Sequence, residues 1–171
     1  MAIANTVKEY LSSQHVNYTE IPHKYSDTAY NVASTAHVPG AQMAKAVMLM
    51  NQDGHPLMAT VPANQNVSFD AIDKLMQGHY HLMSEPQIAQ MFTDCKNGAL
   101  PSLGDAYGID MVIDDSLLNS QAVYLEAGDH ETLIGIDHEE FTELMQCARH
   151  AVIVGSQVGR RNMNEHFYSV H

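Results

Sequence analysis

Lys45 lies in an apolar run, MAKAVMLM, and is the first side chain whose setting suggests chemistry. A lysine partly removed from water is a compact cation whose proton affinity shifts readily on burial. Two roles fit that setting. Its stem can cover the core while its ammonium reaches water, or its charge can sit at a pocket rim, aimed at a polar substrate. The stretch NGALPSLG, residues 97–104, is the second candidate, with two glycines and one proline in eight positions. Gly98 and Gly104 permit close backbone approach, and Pro101 stiffens the segment between them. Backbone amides converging from such a bend suit an oxyanion or a phosphate. A tight surface connection has the same composition. The stretch is neither G-x-G-x-x-G nor a P-loop, since Asp105 follows Gly104 where a lysine would stand. His130, in EAGDHET, is the third candidate, as a solvated turn residue or as part of a site.

Other chemistries find less support. His79 and His81 in HYH share one strand face, but the sequence places no third metal ligand beside them. His138-Glu139 is followed by Glu140, Phe141 and Thr142, so H-E-x-x-H is absent, and no G-x-S-x-G occurs. The many methionines read as core filler. Cys95 and Cys147 are far apart and in no C-x-x-C pattern, so free thiols in a reducing, cytoplasmic compartment are expected. The net charge of −12, with twenty acidic residues against eight basic ones, should repel a phosphate backbone. Contact with only the tip of a nucleic acid stays open. Eleven histidines can soften the charge below neutrality. No run approaches the ~20 apolar residues of a membrane span, and the first residues lack the pattern of a secretory leader.

The elements that must position these residues alternate irregularly. Ile3, Val7, Tyr10 and Leu11 have helical spacing, VNYTEI reads as a strand, and Asp27 or Thr28 caps a helix that Pro39-Gly40 ends. Two apolar runs around Asp53-Gly54 predict a hairpin over 44–63. A helix from Ser68 to Gly78, a short strand at HYHLM and a capped helix from Ser84 through Phe92 follow. Beyond the glycine-proline stretch, IDMVID, QAVYLEAG and ETLIGI read as strands, and Asp137 with Glu140 opens a helix to about Ala148. Mixed α/β (α+β) architecture is expected for 1–148. Residues 149–171 form a C-terminal tail with one further strand at AVIVGSQVG. Its end, GRRNMNEHFYSVH, is either a docked or frayed terminus or a basic arm.

In chain order the features are Lys45, Val61-Pro62-Ala63, Gly98-Ala99-Leu100-Pro101-Ser102-Leu103-Gly104, Asp115-Ser116-Leu117 and Ala127-Gly128-Asp129-His130. That series resembles the YbaK-type aminoacyl-tRNA deacylases, a domain that also occurs as the editing insertion of bacterial prolyl-tRNA synthetases. The likeness spans roughly residues 1 to 146. It implies a mixed sheet, curled toward a barrel and flanked by helices. The implied activity is hydrolysis of the ester between a wrong amino acid and the 3′ end of a tRNA, without metal or cofactor. Lys45 matches the family's key lysine. Gly98, Ala99, Pro101 and Gly104 match the loop beside the reacting carbonyl, and His130 matches a histidine that helps select the aminoacyl group in some members. Ser102 replaces a second proline common in that loop, and Ala46 stands where a polar residue often follows the lysine.

The resemblance implies a mischarged tRNA acceptor end as partner, with an aminoacyl-tRNA synthetase as a second. Water or the neighbouring ribose hydroxyl would attack the ester while loop amides hold the developing charge. Lys45 would hold the phosphate of the terminal adenosine or the α-amino end, and Ala29, Val32 and Met43 are candidates for an apolar pocket wall. Two other readings fit the same residues: a binding module that recognises an aminoacyl or nucleotide end without cleaving it, and an acidic interaction domain. The tRNA, the amino acid and the oligomeric state are not specified by these features.

Overall fold

A computed structural model describes residues 3–155. The chain opens with helix α1 (Asn5–Ser13), strand β1 (Thr19–Pro22) and helix α2 (Ala29–Thr35). The hairpin of β2 (Ala44–Asn51) and β3 (Pro56–Pro62) follows, then α3 (Phe69–Met76), β4 (Tyr80–Leu82) and α4 (Glu85–Met91). The second half holds β5 (Met111–Asp114), α5 (Asp115–Leu118), β6 (Ala122–Glu126), β7 (Thr132–Asp137), α6 (His138–Leu144) and β8 (Arg149–Ala151). This is a mixed α/β fold, as the order of elements in the sequence implied.

Two sheets carry it. One is antiparallel, in the order β1-β7-β6, and the other is mixed, in the order β4-β2-β3-β5-β8. A parallel bridge between Met43 and Tyr124 joins them. The described residues form no closed barrel. The five-stranded sheet is buried on both faces, and alternation along its strands sorts the residues. Met48 and Met58 enter the main core with Val7, Leu11 and Phe141. Leu49, Leu57, Ala59 and Val61 enter a second core with Phe69 and Ile72 of α3.

Local chemistry sets most helix ends. Thr28, rather than Asp27, caps α2 by accepting from the Asn31 amide at 3.1 Å. Ser84 and Gln87 form the full capping box of α4. Gln77 in a left-handed conformation ends α3 one residue before Gly78. Helix α6 ends at Leu144, earlier than the spacing suggested. Asp137 caps it by accepting from the Glu140 amide at 2.9 Å. Glu140 does not reach back to complete the box, because its carboxylate accepts from the Asn17 side chain at 2.9 Å.

The boundary expected at 148 falls immediately before β8, which pairs in parallel with β5. Asp114 holds the following turn by accepting from the Ile153 amide at 2.9 Å. The Ile153 carbonyl in turn accepts from the Ser68 amide at 2.7 Å. The sheet therefore recruits the chain through Gly155. The expected basic arm, with Arg160 and Arg161, lies outside the described residues.

Gly104 is a packing requirement of this architecture. A Cβ there would stand 2.6 Å from the Ile109 carbonyl oxygen and 3.1 Å from the Met111 Cβ. Gly104→Ala is expected to destabilise the protein by about 1–3 kcal/mol, the usual range for overpacking. A lower urea midpoint with an unchanged slope would register this; an unshifted midpoint would contradict it.

Candidate functional site

The site is set by where β2 lacks a neighbour. Asn51 donates its N–H to the His55 carbonyl across the hairpin, while Met48 accepts from the Met83 amide on the other side. Backbone groups alternate direction along a strand. The even-numbered residues, Ala46 and Met48, therefore turn their N–H and C=O groups away from β3. Strand β4 pairs only with residues 49–51. The edge at Ala46 is left open, and a cleft occupies the gap. It holds about 760 Å³ of empty space, counted with its open mouth. Residues 44–47 of β2, Ala29 at the start of α2, and Glu85, Ile88 and Ala89 of α4 line it. Phe92, Cys95 through Gly98, Leu100 and Glu126 complete the wall.

Lys45 is at this cleft, half-buried, with its Nζ donating to the Gln65 carbonyl at 2.8 Å. Burial holds its proton affinity below the usual lysine value. Gly98 lines the same cleft with φ at +85°, a conformation that favours glycine. The Ala99 amide is already engaged, donating to the Lys96 carbonyl at 3.0 Å in a tight turn. The amides of Gly98 and Leu100 have no acceptor among the described residues. The Asn97 amide likewise has none, and all three residues line the cleft.

Ala29 is the one proposed wall residue that lines the cleft. Val32 and Met43 are fully buried behind it, in a small core with Leu133. Ala99, Pro101 and Gly104 are buried and are not lining residues. Gly104 belongs to the packing against β5 described above.

His130 is neither a solvated turn residue nor a wall residue. It is 2% exposed and adopts φ of +64°. Its Nε2–H donates to the Asn97 carbonyl, one residue before Gly98, and its ring packs on Tyr25. The turn carrying it is tied by Asp129, which accepts from the Glu131 amide, the Thr132 amide and the Thr132 hydroxyl at 2.8–2.9 Å. Burial raises the Asp129 carboxyl, but those hydrogen bonds outweigh it and hold the group below the ordinary carboxylate value. The Lys96 amide also donates to the Gly128 carbonyl at 2.8 Å. The β6–β7 turn is therefore a template on which the bend at 96–98 is moulded.

Two groups at the cleft were not singled out from the sequence. Cys95 is held as a thiol: burial pushes it up to about 12, against the lowering effect of the Tyr107 hydroxyl 3.3 Å away. Glu126 is 5% exposed, and its Oε2 has no partner among the described residues. Burial, and then the charge of Asp129, push its carboxyl up to about 8. The available signal was an acid closing an apolar strand, VYLE, just before Ala127-Gly128.

The model of the aminoacyl-tRNA editing domain matches residues 23–144, a span that contains β2, the bend and the β6–β7 turn. The chain belongs to the aminoacyl-tRNA editing domain family. Solved structures show that the same fold recurs at low identity. Hypothetical protein APE2540 superposes with a TM-score of 0.77 at 18% identity, covering 88% of this chain and 100% of its own. A candidate trans-editing enzyme for prolyl tRNA synthetase gives 0.74 at 18% identity, covering 90% and 97%. A candidate signal transduction protein from Marinobacter aquaeolei gives 0.70 at 18% identity, with the fold forming 31% of that longer chain. No curated protein sequence matches the chain. No helix among the described residues is long and apolar enough to cross a membrane.

Two outcomes test this account of the editing-domain cleft. His130→Ala should release the Asn97 carbonyl, and amide exchange at Gly98 and Leu100 should rise at least about tenfold while the β2–β3 amides stay protected. Uniform exchange changes would show that the histidine does not hold the bend. The second outcome concerns Glu126, whose carboxyl titrates at about 8 in the fold against 4.5 in the open chain. The native state keeps a proton that the unfolded chain gives up. The stability this confers is full below 4.5 and is lost as pH rises through about 8. Glu126→Gln should flatten the fall in thermal midpoint across that window, and parallel pH profiles would rule the account out.

Proposed function

We propose that this protein is an aminoacyl-tRNA deacylase that hydrolyses the ester of a mischarged tRNA at the cleft beside β2. The observation that carries the reading is the meeting of a half-buried lysine, Lys45, and the unengaged bend amides of Asn97, Gly98 and Leu100 at one cavity. Membership of the editing-domain family supports the choice of substrate.

The terminal ribose enters with its ester carbonyl against the bend. Water, or the free ribose hydroxyl next to the ester, attacks the carbonyl carbon, and negative charge grows on the carbonyl oxygen. Fixed N–H groups stabilise that charge, each contributing on the order of 10²–10³ in rate. When water attacks, collapse breaks the bond to the ribose oxygen, which takes the proton that water gives up, leaving free amino acid and uncharged tRNA. When the ribose hydroxyl attacks, the acyl group first moves to that oxygen, and water then hydrolyses the new ester in the same way. Lys45 holds phosphate of the terminal adenosine rather than attacking. Cys95 is kept as a thiol, so a thiolate nucleophile plays no part. Positioning supplies much of the acceleration for an activated ester.

Wall size selects the amino acid. Ala29, Ala44, Ala46 and Ala89 leave room, while Ile88 and Phe92 limit it. Such a wall separates neighbours in size by roughly 1–3 kcal/mol per methylene. The acidic surface fits contact confined to the acceptor end, or delivery by a synthetase, so tRNA binding should be weak and salt-sensitive.

The deciding measurement is ester loss across a panel of mischarged tRNAs, with Lys45→Ala beside the wild type. Loss of an interaction with a charged phosphate should lower kcat/KM by about 10–100-fold. Intact esters across the whole panel, with tRNA ends still bound, would make the protein a binding module. A variant as active as the wild type would remove Lys45 from the mechanism.

A further inference from the structure

We infer that Glu126 receives the α-ammonium group of the aminoacyl moiety, so that the cleft reads the free amine of its substrate together with the ester. This rests on the deacylase reading and deepens it.

Glu126 is placed for the task by strand register. Val123 and Leu125 enter the main core, which turns Tyr124 and Glu126 to the other face of β6. Tyr124 bridges Met43 in parallel, and Glu126, two residues on along β6, lines the same cleft as Lys45, two residues on from Met43. The side chain is almost wholly buried, yet one carboxyl oxygen has no donor among the described residues. A buried acceptor left unpaired costs about 1–3 kcal/mol. A ligand cation would satisfy it.

No cation among the described residues does so. Lys45 donates to the Gln65 carbonyl, and no ion pair joins Glu126 to Lys45 or Lys96 among the described residues. An aminoacyl ester carries its ammonium on the carbon next to the carbonyl. The group that receives it must therefore sit beside the bend that holds the carbonyl oxygen, and Glu126 shares the cleft with Gly98 and Leu100. Lys45 would repel that ammonium, which assigns the lysine to phosphate and the glutamate to the amine.

The charge state follows from the surroundings. Facing Glu126 are Asp129 from the β6–β7 turn and Cys95 from the segment after α4, while Lys45 of β2, Lys96 and Glu85 of α4 stand around the same cleft. In the empty cleft near neutral pH the carboxyl holds its proton. When the ammonium enters, that proton leaves to solvent and a charge-assisted N–H···O bond forms.

Two non-hydrolysable probes test this: adenosine carrying alanine in amide linkage at the 3′ position, and the counterpart with lactate, in which a hydroxyl replaces the ammonium. Calorimetric titration of the full chain should show the alanyl probe binding about 10–100-fold tighter than the lactyl one. Glu126→Gln, which keeps side-chain shape, should abolish most of that preference while circular dichroism stays native. Near neutral pH, titrations in buffers of different ionisation enthalpy should show about one proton released when the wild type binds the alanyl probe, and none for Glu126→Gln. Equal affinities for the two probes, or a preference that survives Glu126→Gln, would overturn the assignment while leaving the deacylase reading in place. Failure of both probes to bind would overturn the two together.

Discussion

An open strand edge governs the rest of this molecule. Strand β2 is longer than its neighbour β4, and the bridge to β6 lies at Met43, just before β2 begins. Between those contacts the backbone at Ala46 faces no partner strand. An exposed edge is normally a liability, because unpaired N–H and C=O groups invite another chain. Here α4 and the bend at 95–100 stand across the gap. The edge becomes the floor of a cleft, and the residues with chemical potential gather along it.

Burial then acts on both charged residue types in the same sense. It disfavours the ammonium of Lys45 and the carboxylate of Glu126 alike, drawing each toward its neutral form. Groups poised in this way are common at functional sites. A surface of net charge −12 would otherwise tell against any contact with nucleic acid. The local arrangement at the cleft differs from the average over the surface.

The bend is precise because distant chain segments shape it. Its carbonyl at Asn97 is held by His130, and its amide at Lys96 by Gly128, more than thirty residues on. Asp129 fixes the turn that carries both. Groups outside the cleft lining therefore hold the bend that lines it.

Much of the fold was legible in the sequence. Alternation and capping residues marked the hairpin, most of the strands and the starts of α2, α3, α4 and α6, because these depend on neighbours a few residues apart. The order of Lys45, the glycine-proline stretch and A-G-D-H carried the family resemblance. The box read at the start of α6 was incomplete because Glu140 bonds to Asn17, a partner that local spacing cannot reveal. Strand β8, just past the boundary read at 148, gains its hydrogen bonds from β5, a pairing that no local signal shows. The roles of Gly104 and His130 were assigned from motif position, yet one answers to the backbone of Ile109 and the other to that of Asn97. Glu126 went unread because one acid at a strand end looks solvated until burial and the missing partner are known. Short-range stereochemistry and periodicity are written along the chain. Burial, register between strands and the convergence of backbone groups depend on contacts far apart in sequence, and only the tertiary structure decides them.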